Sequence, residues 1–315
     1  MKIVYFPHKG ANRAGEGARW KAGLKWGADF MIENIIKNTR EHEVIPCYTL
    51  KWENVKEADV VWFHNIATTA YYDIPFINWS PIPGWIKKKN RPVFIGGVRG
   101  HIGFERSKNL LSYFDAIHTG SEELSKISSK YNEHVYVFYP GVDTQLFKPL
   151  ENKPTTFTIG WVGDKNKKMK NYQIIEKLGY PYKIASKDNY IPNEQMPDFY
   201  SSLSAYTHFS SHEGGNRTVL EACSCGIPVV STDAGAVDRY IDREWIIPYR
   251  DDEEYLLKEF RCKLGQLEKD PALCKQIGEE NRKRALDYDW KKITEKWIQI
   301  IDETLDRVKR YSEVN

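Results

Sequence analysis

The sequence has no long apolar run. No stretch reaches the ~18 apolar residues of a membrane-spanning helix, and the opening MKIVYF lacks the extended apolar segment of a secretory leader, reading as a strand instead. Cysteine is sparse and odd in number: Cys47, Cys223, Cys225, Cys262 and Cys274. These fall in no zinc-ligand spacing, and a disulfide-stapled secreted fold calls for a dense, even set. Charge of one sign is not in excess either, since 46 Lys and Arg against 43 Asp and Glu leave a net +3. That balance permits a nucleic-acid partner without demanding one, and no aromatic-basic motif favours it. Internal repeats and low-complexity tracts are absent, which removes fibrous and disordered classes. What remains is a globular, cytoplasmic protein, with attachment to a membrane face left open. At 315 residues it has room for two domains of roughly 150 each.

The richest stretch is SSHEGGNRTVLEACSCGIPVVSTDAG, Ser210 to Gly235. An extended run, Tyr206 to Ser211, arrives at Glu213-Gly214-Gly215. Paired glycines carry no Cβ and let a ligand approach the backbone closely. Asn216 is a preferred N-cap type, so a helix is expected from there, with Arg217 and Thr218 in its first turn. It should stop at Gly226 as the C′ residue, and Pro228 cannot continue it. Ile227, Val229 and Val230 then read as a buried strand. Strand, glycine loop and helix mouth make an anion site from free N–H groups and the helix dipole. Glu213 precedes the helix and Glu221 lies eight residues on, inside it. This places a carboxylate on either side of a bound phosphate, and carboxylates are strong acceptors for sugar hydroxyls. A nucleotide-sugar presents that combination of groups.

Glu213, Gly214, Glu221, Ala222, Cys225, Gly226, Pro228, Val229, Val230 and Gly235 resemble, in register, the signature of glycosyltransferase family 4. The resemblance implies an α/β protein of GT-B fold: two facing Rossmann-like domains with a C-terminal helix crossing back to the first. PGVDTQLFKP, Pro140 to Pro149, is similar to that family's hinge and sets the expected domains at 1–148 (acceptor side), 149–290 (donor side) and 291–315 (terminal helix). In the first domain strands are expected at 2–7, 44–48, 59–64, 92–97, 114–119 and 135–139, with a helix over 20–38. The glycine-bearing loop after the first strand offers Gly10, Gly15 and Gly17, with Lys9, Arg13 and Arg19 near an anion. The family's histidine near the reacting sugar falls in frame on Val98 or Arg99, leaving His64 and His101 as the candidates.

In the second domain Gly163 closes the strand 157–163. Family members then carry an arginine and a lysine that hold the donor diphosphate. Here Asp164 occupies the arginine's place, Lys170 best matches the lysine with Lys168 as runner-up, and Arg217 is the candidate stand-in for the arginine. Only one helix and one strand fit between Asn171 and Ile191, so one βα unit is trimmed. Helices are expected at about 252–269, 271–286 and 294–311. Asp287-Tyr288-Asp289 has the look of a metal motif, but Trp290-Lys291-Lys292 resembles the start of the family's last helix, so no metal site is assigned.

The resemblance implies a metal-independent glycosyltransferase that retains anomeric configuration, with no cofactor and a UDP- or GDP-linked sugar donor as substrate. Glu213 would contact the donor sugar, Glu221 the ribose, and Lys170 with the helix N–H groups the diphosphate. The acceptor is open: a glycan, a lipid, another acceptor or, least favoured, a DNA base. A nucleotide-sugar epimerase or phosphorylase and a non-catalytic nucleotide-sugar binding protein are the competing readings.

Overall fold

The computed structural model describes residues 1–6, 27–47, 50–69, 82–151 and 154–314. Gly10, Gly15 and Gly17, with Lys9, Arg13 and Arg19, lie outside the described residues, as does Tyr48 at the end of the second expected strand. The chain divides into two compact units, Met1–Tyr139 with Trp290–Asn315, and Pro140–Asp289.

The first unit is built on β1 (Lys2–Phe6), β2 (Glu43–Pro46), β3 (Val60–Phe63), β4 (Val93–Val98), β5 (Ala116–Thr119) and β6 (Val135–Val137). They form one sheet in the order β2-β1-β3-β4-β5-β6, with every neighbouring pair parallel. Parallel sheets are covered on both faces, which is why VVWF and VFIGGV are apolar throughout instead of alternating. Successive side chains still point to opposite faces. Phe63 joins Phe6 in a stack with centroids 4.9 Å apart, on the side that also holds Phe94 and Phe114. Its neighbour Trp62 points the other way, stacked on His118 at 4.3 Å and met edge-on by Trp297 at 5.4 Å.

Trp297 belongs to the terminal helix Trp290–Val314, which packs on the helix Gly27–Asn38 and on β4. Its buried residues Ile293, Trp297, Ile300 and Ile301 recur at helical spacing and make one apolar stripe, which the buried Thr304 continues. Arg307 pins it near the sheet's edge by donating to the Asp115 carbonyl at 2.5 Å.

The second unit holds β7 (Ile159–Val162), β8 (Tyr182–Ala185), β9 (Ala205–His208), β10 (Val229–Thr232) and β11 (Ile246–Ile247), all parallel, in the order β11-β10-β9-β7-β8. Numbered from its own first strand this is 2-1-3-4-5, a doubly wound sheet whose order reverses between β7 and β9. Ligands of such sheets lie beyond the carboxyl ends of the strands at that reversal. Only the short helix Gln173–Lys177 and β8 fall between Asn171 and Ile191, as the trimmed reading expects.

The Pro140–Pro149 stretch falls within the second unit, so the division comes at Tyr139 rather than near residue 148. The reason is a set of polar ties. Asp289 accepts from the Thr144 hydroxyl at 2.6 Å and its N–H at 3.2 Å, and Val142 N–H donates to the Tyr288 carbonyl at 2.9 Å. Arg282 donates to the carbonyls of Phe147 and Thr144 at 2.7 and 3.0 Å. Asp289 is thereby a structural acceptor. Among the described residues no group of three His, Cys, Asp or Glu side chains is arranged to hold a metal, and no helix is long and apolar enough to cross a membrane.

Candidate functional site

The signature stretch folds as strand, loop, helix and strand, with its helix at Arg217–Ser224. Its C-terminal end follows from Gly226, whose φ of +71° is costly for any residue with a Cβ. Gly226 N–H reaches the Cys223 carbonyl at 2.9 Å and Ile227 N–H the Ala222 carbonyl at 3.1 Å, the paired bonds of a Schellman stop.

The N-terminal end differs from the expected cap. Asn216 stands at the N-cap position, but its side chain makes no capping bond. It is buried and spent elsewhere, donating to the Ala234 carbonyl at 2.9 Å and accepting from Ala236 N–H at 2.8 Å. Asn216 therefore staples the loop after β10 to the helix mouth, and no side chain covers the mouth from the cap position. Gly214 and Gly215 form the approach to it, with the Gly215 carbonyl accepting from Arg217 N–H at 2.9 Å.

Gly235 completes this staple. Its φ is +75°, and a Cβ there would lie 2.4 Å from Asn216 Oδ1 and 2.9 Å from the Glu213 Cβ. Gly235→Ala is expected to cost about 1–3 kcal/mol of stability from backbone strain alone. It should also lower turnover by displacing Glu213. Urea unfolding and steady-state kinetics check the two effects separately.

Glu213 is the centre of the site. Three donors converge on its Oε1: Lys170 Nζ, Ser210 Oγ at 2.8 Å and His208 Nε2 at 3.4 Å. Burial works against ionisation of this carboxyl, but the His208 bond and the Lys170 charge outweigh it and hold the group well below the usual carboxylate range. Lys170 comes from the loop after β7 and Glu213 from the loop after β9, the two strands flanking the order reversal. Sheet topology thus brings together residues 43 apart in sequence.

The turn carrying Lys170 is fixed from below. Asn171 adopts a left-handed φ of +46° and donates to the Phe209 carbonyl at 2.9 Å, while Ser211 N–H reaches the Met169 carbonyl at 2.9 Å. Lys168, the runner-up, is exposed on the outside of the same turn.

Glu221 has a different set of partners. It is 3% exposed, accepting from Tyr200 Oη at 2.9 Å and from Arg217 Nε at 2.8 Å. Burial pushes its carboxyl up, against the pull of Arg217 and the Tyr200 bond. Arg217 is accordingly turned onto Glu221, not held out in place of the missing arginine. Thr218 lies in the helix's first turn. Gly163 is a packing glycine: a Cβ would fall 2.7 Å from the Trp161 ring, and its N–H donates to the Ala185 carbonyl at 3.0 Å.

Sequence reasoning missed two features here. Lys187 reaches Asp164 at 2.7 Å, and this bond holds the Asp164 carboxyl low against its partial burial. The β7–β8 register pairs Val162 with Ala185, so positions 164 and 187 emerge side by side, but only a known register reveals it. The second is His208, buried at the end of β9, whose Nδ1 lies 3.0 Å from Ser231 Oγ on β10.

The first unit's candidates are placed at strand ends. His64 follows β3 beside the order reversal between β1 and β3, with Tyr5 Oη 3.1 Å from its Nδ1. Its carbonyl lies 2.1 Å from where a Cβ on Gly97 would be, so only glycine fits there. His101 begins the helix His101–Ser107, with Nε2 3.2 Å from Glu123 Oε1. Arg99 is a structural clamp, donating to the Phe138 carbonyl at 3.0 Å and to His118 Nδ1 at 3.1 Å. Burial and the Arg99 charge keep His118 neutral, with Nε2–H on the Phe63 carbonyl at 2.9 Å.

Residues 145–284 match the family model of the glycosyl transferases group 1. No curated protein matches the chain. HepE of Anabaena, solved with UDP, is similar over 96% of this chain and 100% of its own, at a TM-score of 0.68 and 14% identity. Sucrose-phosphate synthase of Thermosynechococcus elongatus is similar over 98% of this chain and 100% of its own, at 0.66 and 12% identity. The pneumococcal O-GlcNAc transferase GtfA, solved with UDP and GlcNAc, is similar over 80% of this chain at 0.62 and 16% identity, and the chain spans 58% of its length. At these identities the likeness is one of fold. The family match fills nearly the whole of Pro140–Asp289, and the chain has the GT-B fold of these solved structures, with its second unit similar to the glycosyl transferases group 1.

Proposed function

We propose that the chain is a glycosyltransferase that moves a sugar from a UDP-linked donor to a hydroxyl-bearing acceptor, with retention of configuration and without a metal. The observation that carries it is the Lys170–Glu213 pair at the sheet's order reversal, beside a helix mouth that no side chain caps. Negative charge grows on the departing nucleoside diphosphate, and groups aimed in advance at that charge lower the barrier. Lys170 and the N–H groups around Thr218 supply them. The three donors on Oε1 of Glu213 leave Oε2 to accept from a donor-sugar hydroxyl. Glu221 takes the ribose hydroxyls once Arg217 turns from it, and Arg217 then faces the diphosphate.

UDP is favoured over GDP because HepE and GtfA were solved with UDP. No acceptor class is favoured by an observation in the first unit, where His64 is the candidate nearest the order reversal.

The test is a nucleotide panel scored by thermal shift, followed by turnover of the matching sugar donors. UDP should raise Tm, and Glu213→Gln should cut sugar transfer at least ~100-fold. Absence of any shift with UDP and GDP sinks the reading. Conversion of the donor to an epimer without acceptor identifies an epimerase instead, and binding with no turnover identifies a binding protein.

A further inference from the structure

His208 is 2% exposed and is one of the three donors on Glu213 Oε1. Its ring bridges β10 and the catalytic loop, with Nδ1 3.0 Å from Ser231 Oγ and Nε2 3.4 Å from Glu213 Oε1. A neutral imidazole has one N–H, and Glu213 is a carboxylate that can only accept. The proton must therefore sit on Nε2, leaving Nδ1 to accept from the Ser231 hydroxyl. Ser231 Oγ also lies 2.8 Å from the Thr232 carbonyl. A protonated ring is served equally well, since Nδ1–H then donates to Ser231 Oγ while the Ser231 hydroxyl turns to that carbonyl. Rotation of one hydroxyl satisfies both charge states, so a proton can enter this buried site without leaving an orphaned group.

The charged surroundings are simple. The flanking strands β7 and β10, IGWV and VVST, contain no titratable side chain. Lys170 from the loop after β7 and Glu213 from the loop after β9 are the charges that act on the ring. Glu221 and Arg217 on the signature helix are paired with each other.

Resting on the reading that Lys170 serves the donor diphosphate, we infer that His208 is a positioning residue that takes up a proton to balance Glu213 when Lys170 turns to that diphosphate. Proton balance is direct: solvent supplies one H⁺ to Nδ1, Nε2–H stays on Glu213, and no bond to carbon changes. In the free protein burial lowers the His208 pKa and Lys170 lowers it further, while the Glu213 bond raises it. Moving Lys170 onto a phosphate removes a lowering influence and adds negative charge, so the pKa rises on binding. Uptake is confined to the window between the free and bound values. Glu213 thus keeps one cationic partner in both states, and Oε2 stays aimed at the sugar.

Calorimetry of UDP binding near pH 6.5, about the ordinary histidine value, in MES and in imidazole reads the proton count directly. The wild type should show net uptake, lost in His208→Gln, which keeps an amide donor for Glu213 but cannot titrate. Ionisation of UDP itself is common to both proteins and cancels. The ring nitrogens of His208, followed by nitrogen NMR in the wild type, should pass from one protonated to two on adding UDP, which secures the test if the variant folds poorly. Equal uptake in both proteins, or a ring that stays neutral with UDP bound, overturns the inference while leaving the functional reading intact. Failure of the wild type to bind UDP overturns both.

Discussion

Lys170→Ala is expected to lower kcat/KM about 100- to 1,000-fold, the loss seen when one preorganised group facing a developing oxyanion is removed. Two effects combine. The diphosphate loses its side-chain cation, and Glu213 loses the strongest of the three donors on Oε1. Both partners are largely shielded, at 17% and 15% side-chain exposure, so a Glu213 left without Lys170 is an under-compensated charge. Stability should fall by about 1–3 kcal/mol, the cost of an unsatisfied buried polar group. The double variant Lys170→Ala with Glu213→Gln separates the effects. Removing the stranded charge should restore most of the stability but none of the turnover. A double-mutant cycle on urea unfolding gives the coupling. Equal kcat/KM in wild type and Lys170→Ala would remove Lys170 from the mechanism.

The largest effect on stability is expected from Trp297→Ala, at about 3–5 kcal/mol, the range for deleting a buried large aromatic. Trp297 is 0% exposed and meets Trp62, itself 0% exposed and stacked on His118. The indole N–H groups of both tryptophans lack an acceptor, so their contribution is apolar contact without hydrogen bonding. Trp297→Phe discards that orphaned donor and keeps part of the contact, so it should cost less than Trp297→Ala, the residual loss being the smaller cavity it leaves. Thermal unfolding monitored by near-ultraviolet circular dichroism should rank wild type, Phe and Ala in that order. An Ala variant as stable as the Phe variant would mean that the stripe on Trp290–Val314 does not carry the sheet's second face.

What the sequence made legible was what chain-local chemistry decides. Gly226 as a helix stop needs only a positive φ and its four predecessors, and it was readable. The apolar strands were readable because parallel strands are covered on both faces. Lys170 was singled out through its resemblance to a family lysine, and its side chain lies on Glu213. Partner choice was not. Asn216 has the residue type of a cap, yet two backbone groups 18 and 20 residues away claim its side chain. Arg217 and Glu221 are four apart on a helix, a spacing that favours a pair, and the reading that placed Arg217 at the helix mouth did not anticipate that Glu221 holds it. His208 and Lys187 gave no linear signal, because their partners Ser231 and Asp164 are set by strand register.

The terminal helix has a consequence for synthesis. The first sheet's Trp62 face is closed by residues that leave the ribosome after the whole of Pro140–Asp289. At the usual ~5–20 residues per second, the interval from Tyr139 to Trp297 is roughly 8–30 s. For that time the earlier half of the chain lacks the cover that Trp297 gives Trp62, while the later half can already fold. Nascent-chain folding should thus run against the order of translation, with the second unit acquiring protease resistance first and the first unit only once Trp290–Val314 has emerged.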